Sequence, residues 1–351
     1  MKKGSSAKIG RIFFAGLAVV FAAACGSDTE VISGDYLDAI PDWEQLRLDI
    51  PGGEAQGRLR AAEAPIAEYY KITRQTVLDI NGFVFAMLSV VDEVLQYPPT
   101  SDSGDSQVWA PEQPLSGLSP VVPRFTLTAV GENKFDFLFE LRPKNEGEES
   151  YVRVWAGAFE READTARRGR GEMTIDFDQA AAVDPTTEER GKIIIDYDIR
   201  TTVDRVINLA FQSFRGEDDP EDWLIDAEYS YREAADNTGE FFFTAQGDIF
   251  PAEDGSASEE TLSVFTRWQG DGAGQAVVEV SGEDIDASGF SSGEDRECWD
   301  DGFHRRYFSR LAYWDAEDHP DWQASNVDNP IEDESVAFGD VAECPFSFES
   351  D

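Results

Sequence analysis

The residues with most scope for chemistry lie between positions 284 and 298. Counting from Asp284, oxygen-bearing side chains fall at positions one, three and five (Asp284, Asp286, Ser288), a glycine at six (Gly289) and a carboxylate at twelve (Asp295). That is the spacing by which a loop wraps a hard divalent cation, Ca²⁺ above all, in oxygen ligands. Two features favour a plain acidic turn instead: Ser291 stands at position eight, and Ala276 to Val280 reads as a strand. The overlapping Gly289-Phe-Ser291-Ser-Gly293 has the pattern of a hydrolase nucleophile turn. Such a turn needs a strand before it, a helix after it and a histidine downstream. The chain has two histidines, His304 and His319, and the surrounding pattern is antiparallel strand, so an enzyme is not expected. His319 with Asp315, Asp318 and Asp321 reads as a metal site or as a solvated acidic loop. Trp299, Trp314 and Trp322 read as a carbohydrate platform or as a shield over a disulfide. With 71 acidic residues, close carboxylate pairs arise by chance, so glycoside chemistry is not assigned on that basis.

The amino terminus carries a different chemistry. Lys2, Lys3, Lys8 and Arg11 precede an apolar run from Ile12 to Phe21, and Ala22-Ala23-Ala24 abuts Cys25. A basic start, a short apolar run and small residues form a secretory signal, and this run is shorter than the ~20 residues that span a bilayer. With the cysteine directly after the small residues, the segment resembles the signal peptide and lipobox of bacterial lipoproteins; Ala22 stands where that family favours Leu. The alternative is an ordinary secretory signal with an incidental cysteine. The resemblance implies removal of residues 1–24, a diacylglycerol on the Cys25 thiol and an acylated (palmitate-type) new amino terminus. Gly26, a residue other than Asp after the cysteine, implies delivery to the outer membrane. Several acyl chains hold firmly, since each buried CH₂ contributes about 0.8 kcal/mol. In an exported chain the remaining pair, Cys298 and Cys344, reads most simply as a disulfide, with a free or metal-binding pair as the alternative. Closing that loop would contribute about 4 kcal/mol in the chain-entropy model.

Charge restricts the partners. The formal net charge is −42, and loss of the first 24 residues, with four basic and no acidic side chains, takes it to −46. A field of that sign repels phosphate backbones, which argues against nucleic acid. Spread along the chain, the charge reads as a solvated acidic surface suited to high salt, with cation or cationic-partner binding as the alternative.

The remaining pattern assigns architecture. Residues 25–56 read as an acidic lipidated tether with a short ordered patch around Trp43 to Ile50, and residues 57–351 as one globular domain. Tyr70, Thr73, Val77, Ile80, Val84, Met87, Val91 and Val94 form the seam of an amphipathic helix over about 65–97, stopped by Pro98-Pro99. The apolar stretch Gly82 to Val91 predicts deep burial. Residues 100–123 read as a loop. From Arg124 to Trp314 the period becomes two, as in Phe135/Phe137/Phe139/Leu141, Met173/Ile175/Phe177 and Ile193/Ile195/Tyr197. Gly171–Asp178 and Gly191–Asp198 are nearly the same and predict adjacent, equivalent strands. The expected fold is mainly β (α+β): ten or eleven strands in a large curved antiparallel sheet or incomplete barrel, one long N-terminal helix packed against it, and a disulfide-tied segment 298–351. Three functions fit: a lipid-anchored structural or interaction module with a protein partner, a carrier holding an apolar ligand between sheet and helix, and a calcium-binding surface lipoprotein. No other cofactor is expected.

Overall fold

The computed structural model describes residues 40–41, 43–52, 65–111, 119–216, 224–248, 259–282, 292–313 and 338–348. The fold is mainly β, an open antiparallel sheet of fifteen strands in sequence order, with three α-helices among the described residues. The chain divides into two compact units, one of Phe14–Leu48 with Asp79–Asp222 and the other of Asp49–Leu78 with Trp223–Asp351. Helix α1 is Trp43–Leu46, and α2, Glu68–Leu95, gives its first turns to the second unit and the rest to the first.

The first unit holds β1 (Ser101–Asp102), β2 (Ser106–Trp109), β3 (Val121–Gly131), β4 (Lys134–Pro143), β5 (Val152–Arg161), β6 (Gly169–Asp176), β7 (Arg190–Asp198) and β8 (Arg205–Arg215). The predicted loop at 100–123 therefore contains two strands, and β3 begins three residues before Arg124 with Pro123 inside it. The two similar segments are neighbours: Ile175 lies opposite Ile193, Met173 opposite Ile195 and Gly171 opposite Tyr197. They diverge at their ends. Phe177 does not continue β6 but opens helix α3, Phe177–Val183, because Asp176 accepts the Gln179 N–H as an N-cap and Gln-Ala-Ala-Ala favours helix. In β4 a bulge after Phe139 breaks the alternation, so Glu140 is buried, bonded to Arg124 at 2.6 Å, while Leu141 is half-buried.

Phe83 of α2 packs on Phe177 and Phe211, with Val84, Leu88, Val91 and Val94 buried beside it. The face predicted to be wholly buried is not. Gly82 is exposed and Phe85 is 48 % exposed, since one sheet can cover only one side of a helix. The helix ends where Pro98 and Pro99 cannot continue it, with Tyr97 N–H donating to the Val94 carbonyl. The segment around Trp43 to Ile50, expected as an ordered patch within the tether, belongs to the packed body: Leu46, Leu48 and Ile50 are buried. Asn81 of α2 clamps that segment. Leu48 N–H donates to Asn81 Oδ1 at 2.7 Å, and Asn81 Nδ2 donates to the Leu48 carbonyl at 2.8 Å.

The second unit holds β9 (Ile225–Glu233), β10 (Gly239–Gly247), β11 (Glu260–Trp268), β12 (Gly274–Ser281), β13 (Ser292–Trp299), β14 (Arg305–Tyr313) and β15 (Phe338–Gly339). Among the described residues twelve strands thus lie between Val121 and Tyr313, against the ten or eleven expected. The turns joining β9 to β10 and β11 to β12 carry Asn237 at φ 64° and Gly272 at φ 97°, with Asp236 and Asp271 accepting backbone N–H groups two residues on. Alternation is strict in β9, β10 and β11: Ala227, Tyr229, Tyr231, Phe241, Phe243, Val264, Thr266 and Trp268 are all buried.

Asn81→Ala would leave both polar groups of the Leu48 backbone without their side-chain partner in a part-buried site. We expect a loss of about 2 kcal/mol in unfolding free energy by urea titration; a variant as stable as the wild type would show the clamp to be dispensable.

Candidate functional site

The chemistry-bearing residues that the structure brings together lie on β13 and at the start of α2. A helix that begins inside a protein presents amides without intrahelical acceptors. Here the approach is fixed first: Ile66 bridges to His304, Ala67 N–H donates to the Phe303 carbonyl and Arg305 N–H to the Pro65 carbonyl, both at 2.9 Å. The Glu297 carboxylate then accepts the N–H groups of Glu68 (2.9 Å) and Tyr69 (2.6 Å), and Arg305 Nε donates to it at 2.5 Å. The Glu297 side chain is fully buried. Burial pushes its carboxyl up from the usual glutamate range, against the pull of Arg305 and the two helix amides.

One pleat along, Asp295 accepts a two-pronged bond from Arg310, Nε at 2.7 Å and Nη2 at 2.6 Å, and a further bond from the Tyr69 hydroxyl. Burial, reinforced by the Asp295 charge, holds the Tyr69 hydroxyl well above the ordinary tyrosine value, so it stays protonated and donates. Thr73 and Thr266 share a hydroxyl–hydroxyl bond of 2.8 Å in the same interface. These groups are matched charge for charge and bond for bond. The cluster fixes a helix to a sheet.

The predicted site residues fall as follows. Asp295 is in strand, with both oxygens committed to Arg310 and Tyr69, whereas Asp284, Asp286 and Ser288 lie outside the described residues, as does Cys25. Gly293 is within β13, paired on both sides, so a strand rather than a helix follows Ser291. His319, Trp314 and Trp322 are outside the described residues; His304 sits 3.5 Å from Asp300, and Trp299 is buried, its Nε1–H donating to the Gly272 carbonyl. Among the described residues no group of three or more His, Cys, Asp or Glu is placed to hold a metal ion, and no helix is long and apolar enough to cross a membrane.

Cys298 and Cys344 form a disulfide, with Cα atoms 5.6 Å apart. Cys298 points to the face of β13 opposite Glu297, where it is fully buried by the segment that Cys344 carries. The strap role of that segment was not legible beforehand. Gln275 Nε2 donates to the Ser347 carbonyl at 3.3 Å, as does Arg267; the Arg267 guanidinium lies 4.6 Å from the centre of the Phe346 ring, and the Phe348 ring lies tilted against Tyr307 at 5.7 Å. The sequence signal was the aromatic spacing in Pro345-Phe346-Ser347-Phe348, two rings one residue apart after a cysteine.

Between α2 and the sheet in the first unit, the core closes to a cavity of about 30 Å³ lined by Pro41, Leu88, Val91, Phe125, Trp155 and Tyr197. Pockets that hold an organic ligand are roughly 300–1,000 Å³. This cavity is too small for one.

Glu297→Ala would leave two helix amides and Arg305 without their acceptor. We expect a cost of about 3 kcal/mol in chemical denaturation. A change below about 0.5 kcal/mol, the range of neutral surface substitutions, would contradict the capping role.

No family model, curated protein or solved structure matches this chain.

Proposed function

We propose that this protein is a lipid-anchored module of the bacterial cell envelope that acts by contact, as a structural or interaction protein, and neither catalyses nor carries a ligand. The anchor is Cys25, delivered by the signal segment before it to the outer membrane. The finer form of the fold belongs to the same proposal: a curved antiparallel sheet with one long helix against it as its cover.

The observation that supports the reading is the small size, about 30 Å³, of the cavity between helix and sheet in the first unit. A carrier of apolar molecules needs about ten times that volume. The disulfide agrees with export, because such bonds persist in oxidising compartments. The formal charge of −42 keeps the surface hydrated and directs it toward neutral or cationic protein surfaces rather than nucleic acid.

Two experiments test it. Cells fed an alkyne-tagged fatty acid should label the wild-type protein and not Cys25→Ser; label retained in the variant would defeat the anchor. Native mass spectrometry of the Cys25→Ser chain should give the polypeptide mass alone, and a lipid-sized adduct removed by solvent extraction would favour the carrier.

A further inference from the structure

The outer face of β10–β13 departs from the polar surface that a one-sided sheet should show. Phe242 lies opposite Phe265, and Phe265 opposite Val277, so three apolar side chains form a row across three strands, all only partly buried. At neighbouring-strand spacings of about 4.8 Å the row is roughly 10 Å long. It floors a groove of about 690 Å³, walled at one end by Ser347 and Phe348 of the disulfide-tied strap. A groove of this size is within the range of specific binding sites.

The strap shows what this face recognises. It is a bent piece of polypeptide whose Phe346 ring lies under the Arg267 guanidinium and whose Ser347 carbonyl accepts from Arg267 and Gln275. Phe348 lies 5.9 Å from the Arg296 guanidinium, and Arg296 also lines the groove. The strap leaves one polar need unmet. Gln275 is 2 % exposed and borders the groove, yet its Oε1 accepts no hydrogen bond. An orphaned buried acceptor costs about as much as a lost hydrogen bond, and a backbone N–H entering the groove would supply the donor. Arg267 and Arg296 offer two more guanidinium planes for aromatic rings.

We propose that this groove binds an extended peptide segment of another protein, carrying aromatic side chains at alternate positions, which lies beside the strap and repeats its chemistry. Aromatic rings would pack on Phe242, Phe265 and Val277 against Phe348, and a backbone N–H would donate to Gln275 Oε1. This deepens the interaction reading by naming a partner class, and it is independent of the anchor at Cys25.

The test is fluorescence anisotropy of a labelled peptide, Ala-Pro-Phe-Ser-Phe-Ala, titrated with the purified mature chain. Saturable binding is expected, with at least tenfold weaker affinity for Phe265→Ser and for a peptide with both Phe replaced by Ser. Phe242→Ser on the neighbouring strand should repeat the effect, with circular dichroism confirming that either variant keeps the wild-type melting profile. No saturation up to millimolar peptide overturns the proposal, and so does affinity that neither substitution changes. A concentration-dependent dimer that Phe265→Ser abolishes, without peptide binding, would assign the groove to a second copy of this chain. That result would overturn the peptide proposal while leaving the contact reading of the protein in place.

Discussion

A helix that starts in a protein interior brings unpaired amides with it, and something buried must accept them. Glu297 does so here, and the surrounding arrangement in the second unit follows from it. A buried carboxylate requires a counter-charge, which Arg305 supplies from the next strand. The alternation of β13 then gives the neighbouring positions their tasks. Asp295 and Trp299 face the same way as Glu297: Asp295 binds Tyr69, and the Trp299 ring lies 5.8 Å from Tyr70. Arg296 and Cys298 face the other way and hold the strap. One strand thus fixes a helix on one side and a covalently tied segment on the other.

This division bears on what the protein can do. In the second unit the interior of the strand pairs holds aromatic packing and a polar cluster in which Glu297 and Asp295 are each met by an arginine. In the first unit a cavity of about 30 Å³ lies between helix and sheet. On the surface, an acidic exterior is interrupted by the apolar row on β10–β12 and by Leu78 and Phe85, each 48 % exposed. Lipid attachment at Cys25 would then hold such a surface at the membrane without requiring any spanning element.

Much of this fold was legible because the physical signals are periodic. Ile193, Ile195 and Tyr197 recur at every second position, and all three are buried on one face. Seven of the eight seam positions of α2 are buried, with Met87 half-buried. The failures occur where a local effect overrides the period. Asp176 caps a helix and takes Phe177 out of its strand, while the bulge at Phe139 turns Leu141 from the core. Gly82 and Phe85 look buried in one dimension but lie on the uncovered side of α2. The role of Asp295 was misleading in a different way. Spacing alone made it a cation ligand, whereas its partners, Tyr69 and Arg310, are 226 and 15 positions away. No local pattern encodes a capping carboxylate such as Glu297, 229 residues after the amide it serves. Cysteine number, with the expected export, pointed to the disulfide, but the strap it holds needed coordinates.

Capture of the α2 amino terminus by Glu297 is the interaction on which the other contacts of β13 depend. Amide hydrogen exchange at Glu68 and Tyr69 measures it without reference to activity. Both amides should be strongly protected in the wild type and exchange at least tenfold faster in Glu297→Ala, while amides in the middle of β7 keep their protection. Unprotected amides in the wild type, or protection that Glu297→Ala leaves unchanged, would contradict the account.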